Sequence, residues 1–158
     1  MSSESVRSFL AEHAPDLTII DHGRSTATVA EAASTLNVAP ARIAKTLSLR
    51  APEGVVLIVA RGDARLDNAK LKAALGGRAR MVGPDEVSSL TGHPVGGVCP
   101  FGLATPLLIL CDISLRDFAT VFPAAGSQTS SIEVAPERLA TLVGARWVDV
   151  CSPALRDG

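Results

Sequence analysis

The chain has 158 residues, a formal charge of −1 and 47 % hydrophobic residues, with aromatics at 3 % and no Tyr, so its core must be built from Ala, Val, Leu and Ile. The length predicts a single domain, residues 1–158, with a buried core. The near-neutral charge argues against a broadly basic nucleic-acid coat. No apolar run reaches 18 residues, the start is polar and Ser-rich, and Cys99, Cys111 and Cys151 are widely spaced without a Cys-x-x-Cys pair. These features argue against a membrane span, a secretory leader, a disulfide framework and a structural zinc site, so a cytoplasmic protein is expected.

Ser5–His13 reads as a short helix and Leu17–Ile20 as a short strand. Thr28 and Glu31 have capping-box spacing, and Val29, Ala32, Ala33 and Leu36 share one helical face, which predicts a helix from Thr28 to about Asn37. Pro40 opens a further turn up to Lys45. From there Leu47 and Leu49 alternate with Ser48 and Arg50 as a strand. After the Ala51–Gly54 turn, the apolar run Val55–Ala60 predicts a strand covered on both faces and paired with the first as a hairpin. Asp67 caps a helix that stops at Gly76-Gly77, and Pro84 starts another that runs through Leu90.

Thr91 to Gly102 places four glycines and two prolines in twelve residues, including His93 and Cys99. Such a loop is stiff and poor in side chains, and offers its peptide groups to whatever approaches it. Beyond it, Pro106–Cys111 reads as a strand, Ser114 with Asp117 as a short capped helix, and Thr120–Phe122 as a strand. A second small-residue loop, 124–130, leads to a strand at Ile132–Val134, a helix at Pro136–Val143 and a last strand at Arg146–Val150. The elements mix without a strict βαβ rhythm. The expected fold is mixed α/β, with a curled, barrel-like sheet surrounded by short helices.

Residues 1–80 carry 11 Lys and Arg against 8 Asp and Glu, while residues 81–158 carry 4 against 8. The excess lies between Arg61 and Arg80, Lys70 and Lys72 among it, and fits either a solvated helix face or a phosphate-binding surface. Lys45 has two readings. It belongs to the apolar face of Leu47 and Leu49, where an ammonium needs a partner or a purpose, or it closes a short helix and reaches water. Cys99 with His93 could form a thiol nucleophile and base, although no third group to orient the imidazole is identifiable. His13, His22, His93 and the cysteines lack metal-ligand spacing, and Gly92–Gly97 is neither a Walker loop nor a dinucleotide fingerprint, so neither metal nor cofactor is expected.

Four segments resemble the YbaK-like family, freestanding relatives of the editing domain of bacterial prolyl-tRNA synthetases. They are Ile43-Ala44-Lys45-Thr46-Leu47, the stretch Gly62–Leu71, the loop Thr91–Gly102, and Ala125-Gly126-Ser127 followed by Ile132-Glu133-Val134. The resemblance implies trans-editing: hydrolysis of the ester joining a wrong small amino acid to the 3′ acceptor end of tRNA-Pro or a related tRNA. It makes Lys45 the residue needed for activity. Gly96, Gly97, Val98, Cys99, Pro100 and Gly102, with Gly126 and Ser127 opposite, would surround the ester. The implied partners are aminoacyl-tRNA, with Lys70 and Lys72 as the candidate contacts to its phosphates, and an aminoacyl-tRNA synthetase, not DNA or a membrane. Ser131 stands where some relatives carry Asp, and Cys99 where others carry Ser. Two other readings remain: a Cys99-dependent hydrolase of small esters or thioesters, and a non-catalytic module that binds tRNA or a synthetase.

Overall fold

The computed structural model describes residues 2–152. Its elements are α1 (Ser2–His13), β1 (Ile20–Asp21), α2 (Val29–Leu36), β2 (Ile43–Ala51), β3 (Gly54–Arg61), α3 (Asn68–Leu75), β4 (Arg80–Met81), α4 (Pro84–Thr91), β5 (Leu108–Asp112), β6 (Phe122–Pro123), β7 (Ser130–Ser131), α5 (Pro136–Val143) and β8 (Arg146–Val148). Short 3-10 turns cover Pro40–Arg42 and Ile113–Asp117.

The β2–β3 hairpin is the axis of the sheet. Its antiparallel register pairs Ala44 with Arg61 through Ala51 with Gly54. β5 adds to β3, and β8 to β5, both in parallel, while β4 lies antiparallel to β2, giving the order β4-β2-β3-β5-β8. β6 pairs in parallel with the start of β2, and β1 with β7 forms a separate two-stranded ribbon. As the apolar run predicts, Leu57, Ile58, Val59 and Ala60 are fully buried. Alternation sends Leu57 and Val59 into one cluster with Phe101, Ile132 and Leu139, and Ile58 and Ala60 into another with Leu49, Leu71 and Val150.

The expected barrel-like closure does not form. The sheet path ends at β4 on one side and β8 on the other, and these strands have two and three residues. A barrel must pair its first strand with its last, and segments this short offer too few ladder bonds to bend the sheet into closure.

Helix boundaries follow their caps. Thr28 Oγ1 accepts from the Glu31 N–H at 3.1 Å, and Asn37 ends α2 in the left-handed region at φ 58°. Asp67 caps α3 by accepting from the Lys70 N–H at 3.0 Å. Several expected elements move: the strand expected at Leu17–Ile20 is found as β1, and that expected at Thr120–Phe122 as β6. The turn after β5 is capped by Asp112, which accepts from the Ser114 N–H at 2.9 Å, rather than by Ser114 itself. The strand expected at Ile132–Val134 does not form: β7 lies just before it, and Val134 makes a single bridge, to Val121.

Candidate active site

The site grows from a gap in the sheet. On the side of β2 away from β3, β6 covers Ile43–Ala44 and β4 covers Leu49–Arg50, leaving residues 45–47 facing no strand among the described residues. The Ser48 carbonyl accepts from the Val82 N–H at 3.0 Å on that side. Backbone direction alternates along a strand, so the peptide N–H and C=O of Thr46 point into the same gap. An open strand edge is a ready hydrogen-bonding surface for an incoming ligand.

A cavity of about 280 Å³ occupies this gap. Its walls come from β2 (Ala44, Lys45, Thr46), α2 (Val29, Ala32), the glycine loop (Gly96, Val98), and Ser130 with Ser131 of β7. Met81 and Val95 also line it and are 58 % and 55 % exposed, which makes an apolar rim. The walls are mainly apolar and include no acidic side chain.

Lys45 is a strand residue, opposite Ala60 in the hairpin, so the helix-end reading is set aside. Its Nζ donates to the Ala64 carbonyl at 2.5 Å, and it forms no ion pair among the described residues. Burial pushes its pKa below the ordinary value of 10.5, with Cys151 and Asp63 opposing that shift and Arg65 adding to it. An ammonium carries three N–H donors, so the bond to Ala64 holds it in place and leaves two for a ligand.

The glycine loop is held against two other segments. Gly96 has φ 88°, and a Cβ there would sit 2.8 Å from that of Ala27. At Gly97 a Cβ would meet the Ser127 backbone at 2.8 Å, and the Gly126 N–H donates to the Gly97 carbonyl at 3.2 Å. Only glycine permits either approach. The loop around Gly126 and Ser127 packs against the glycine loop, and neither residue is in the cavity lining. Ser127 Oγ lies 2.6 Å from Ser130 Oγ, which lines the cavity. Among the candidate substrate-binding residues, Gly96 and Val98 join Lys45 in the cavity wall, whereas Gly97, Cys99, Pro100, Gly102, Gly126 and Ser127 do not.

Cys99 is fully buried, and burial raises its thiol pKa to about 12. Its Sγ lies 3.6 Å from His93 Nε2, so the two do meet. The same Nε2, however, is 2.7 Å from the Phe101 carbonyl, an acceptor only, and must carry the hydrogen it donates there. That nitrogen therefore has no lone pair for the thiol, and burial also lowers the His93 pKa.

Sequence reasoning missed the hydroxyls. Thr26 Oγ1 and Thr46 Oγ1, on cavity-lining residues, are buried without a hydrogen-bond partner among the described residues. Ser131 Oγ, in contrast, is 2.7 Å from His22 Nε2. The alternation of β2 could have flagged Thr46, which faces oppositely to Lys45, but nothing local marks Thr26. Of the tRNA candidates, Lys70 Nζ is bound to Asp149 Oδ1 and the Cys151 carbonyl, both at 3.0 Å, while Lys72 is exposed.

Known proteins share this fold and much of this sequence. A crystal structure described as that of a candidate trans-editing enzyme for prolyl tRNA synthetase superposes with a TM-score of 0.88 at 32 % identity, covering 96 % of this chain and 97 % of that one. The uncharacterized protein YwhH of Bacillus subtilis is 46 % identical over 153 residues, 96 % of this chain and 98 % of its own. Proline--tRNA ligase of Thermotoga sp. is 40 % identical over 77 residues, 48 % of this chain but 13 % of the ligase. The family model described as the aminoacyl-tRNA editing domain matches residues 24–142. That span includes every wall of the β2-edge cavity, and the chain belongs to this family of YbaK-like aminoacyl-tRNA editing domains.

Proposed function

We propose that this protein is a trans-acting aminoacyl-tRNA deacylase, clearing a wrong small amino acid from a tRNA charged by prolyl-tRNA synthetase. The observation that carries this reading is the placing of Lys45 and the glycine loop on one small, mainly apolar cavity at an open strand edge. Ligand pockets commonly run from about 300 to 1,000 Å³, so this one suits a compact aminoacyl group. Met81 and Val95 would support the terminal base at the rim.

In the reaction a water oxygen attacks the ester carbonyl carbon, giving a tetrahedral oxyanion. Collapse breaks the bond to the ribose oxygen, which takes one of the water's protons and leaves as the tRNA hydroxyl, while the other proton passes to solvent and the amino acid leaves as a carboxylate. An activated ester needs donors aimed at the developing oxyanion more than it needs a strong nucleophile. Lys45 supplies a charged donor that Ala64 holds in place. The peptide N–H groups of Gly96 and Val98, which have no hydrogen-bond partner among the described residues, supply neutral ones. Lys72 is assigned to tRNA phosphates; Lys70 joins it only by leaving Asp149. The glycine positions 97 and 102, with Cys99, Pro100, Gly126 and Ser127, keep the wall in shape.

The test is a panel of labelled tRNAs charged with Ala, Ser, Cys or Thr and incubated with the purified protein. Release above the uncatalysed rate from at least one mischarged tRNA-Pro is expected. Spontaneous rates across the whole panel would overturn the deacylase reading.

A further inference from the structure

Of the basic residues between Arg61 and Arg80, Arg65 is exposed and lies outside the groove described below, and the others fall into two groups. Arg61 binds Asp63 at 2.5 Å and Asp117 at 2.7 Å, and Lys70 binds Asp149, so these charges are spent within the fold. Lys72, Arg78 and Arg80 are exposed and form no ion pair or side-chain hydrogen bond among the described residues. All three line one groove of about 760 Å³ between α3 and the outer end of the hairpin, floored by Pro52 and Leu71. Arg50 lines it as well and is ion-paired with Glu86; no carboxylate is in the lining.

A second observation concerns register. Arg50 and Arg80 stand directly opposite each other across the antiparallel β2–β4 pair. Like charges in that position destabilise a sheet, and β4 has only two residues with which to compensate. Glu86 offsets the charge of Arg50 from one side, and an anion lying over the pair would relieve the rest. Arg80 faces this groove, whereas its neighbour Met81 lines the β2-edge cavity, so one short strand divides the two depressions.

We propose that this groove is the binding track for the RNA phosphodiester backbone that leads away from the terminal nucleotide, with Lys72, Arg78 and Arg80 as its phosphate contacts. The proposal rests on the deacylase reading for the identity of the polyanion. A chain whose last nucleotide enters the cavity beside Met81 would cross β4 and meet these three cations next. Arg50 would join them when Glu86 releases it.

The test measures binding alone, by fluorescence anisotropy of an uncharged RNA hairpin with a single-stranded 3′ acceptor tail, across a salt series. Wild type is compared with the Lys72→Gln/Arg78→Gln/Arg80→Gln variant. Each lost phosphate contact lowers the slope of log affinity against log salt by about 0.7 to 0.9, so the triple variant should lose about 2 to 3 from the slope and roughly tenfold or more in affinity at low salt. An unchanged slope overturns the proposal. Thermal melts of Arg80→Gln guard against a structural explanation: relief of the Arg50 repulsion should leave Tm equal or higher, and a lower Tm would mean that Arg80 serves the fold instead. Because the hairpin carries no ester, the two readings fail separately. RNA binding with the expected slope but no deacylation removes the deacylase reading alone, and deacylation with an unchanged slope removes the groove alone.

Discussion

At the open edge of β2, Lys45 sits partly buried with one donor fixed on Ala64 and two uncommitted, in the wall of a cavity rimmed by exposed Met81 and Val95. Within the glycine loop, Cys99 sits fully buried beside an imidazole whose nearest nitrogen is already donating to Phe101. Burial acts on both groups by disfavouring the charged form, and the consequences are opposite. Lowering a lysine pKa leaves an ammonium that is lightly solvated and strongly felt by a nearby oxyanion. Raising a thiol pKa to about 12 leaves almost no thiolate near neutral pH. A reactive residue type in a glycine-rich loop is therefore no guide to chemistry unless the loop presents it.

The sharpest way to break this comparison is to exchange the two residues' importance. Lys45→Ala should slow deacylation by about 10² to 10³, the scale for losing one preorganised electrostatic donor, in a protein that still melts cooperatively. Gly97→Ala comes next. Its Cβ would press on the Ser127 backbone, and overpacking of this kind costs about 1 to 3 kcal/mol, read as a lower Tm with weakened activity. A pH profile sharpens the lysine assignment further. Activity requires the protonated amine, so the rate above the spontaneous background should fall as pH rises through the Lys45 pKa, which lies below 10.5. Lys45→Arg should remove that alkaline fall, since a guanidinium stays charged. Cys99→Ser should leave the rate within about threefold, because the side chain touches neither water nor cavity, at a stability cost of about 1 kcal/mol for its hydroxyl. The smallest effect is expected for Thr46→Val. Removing a buried hydroxyl that has no partner should raise Tm by about 2 to 4 °C.

What the sequence disclosed follows from range. The hairpin, Lys45 and the caps of α2 and α3 are written in windows of a few residues, where period and capping chemistry act directly. The cavity is not written locally. It joins Thr26, β2, Met81, the glycine loop and Ser131, segments that come together only because β4 and β6 leave a gap in the pairing of β2. Neither two-residue strand has a period to read. The same limit hid the division of the basic stretch: Lys70 and Lys72 look equivalent in sequence, but Asp149, far along the chain, claims only Lys70. Barrel closure was expected from the intermixing of strands and helices, which says nothing about whether the edge strands are long enough to pair.

In the proposed reaction water attacks the ester directly, with Lys45 and the loop N–H groups holding the oxyanion and no acyl group passing to the protein. Single-turnover mixing of excess enzyme with doubly labelled mischarged tRNA-Pro, quenched in acid, separates this route from a thiol one. Free amino acid and deacylated tRNA should appear at one common rate, with no label retained on protein at any time. Deacylated tRNA appearing ahead of the amino acid, with the missing label bound to Cys99, would contradict it.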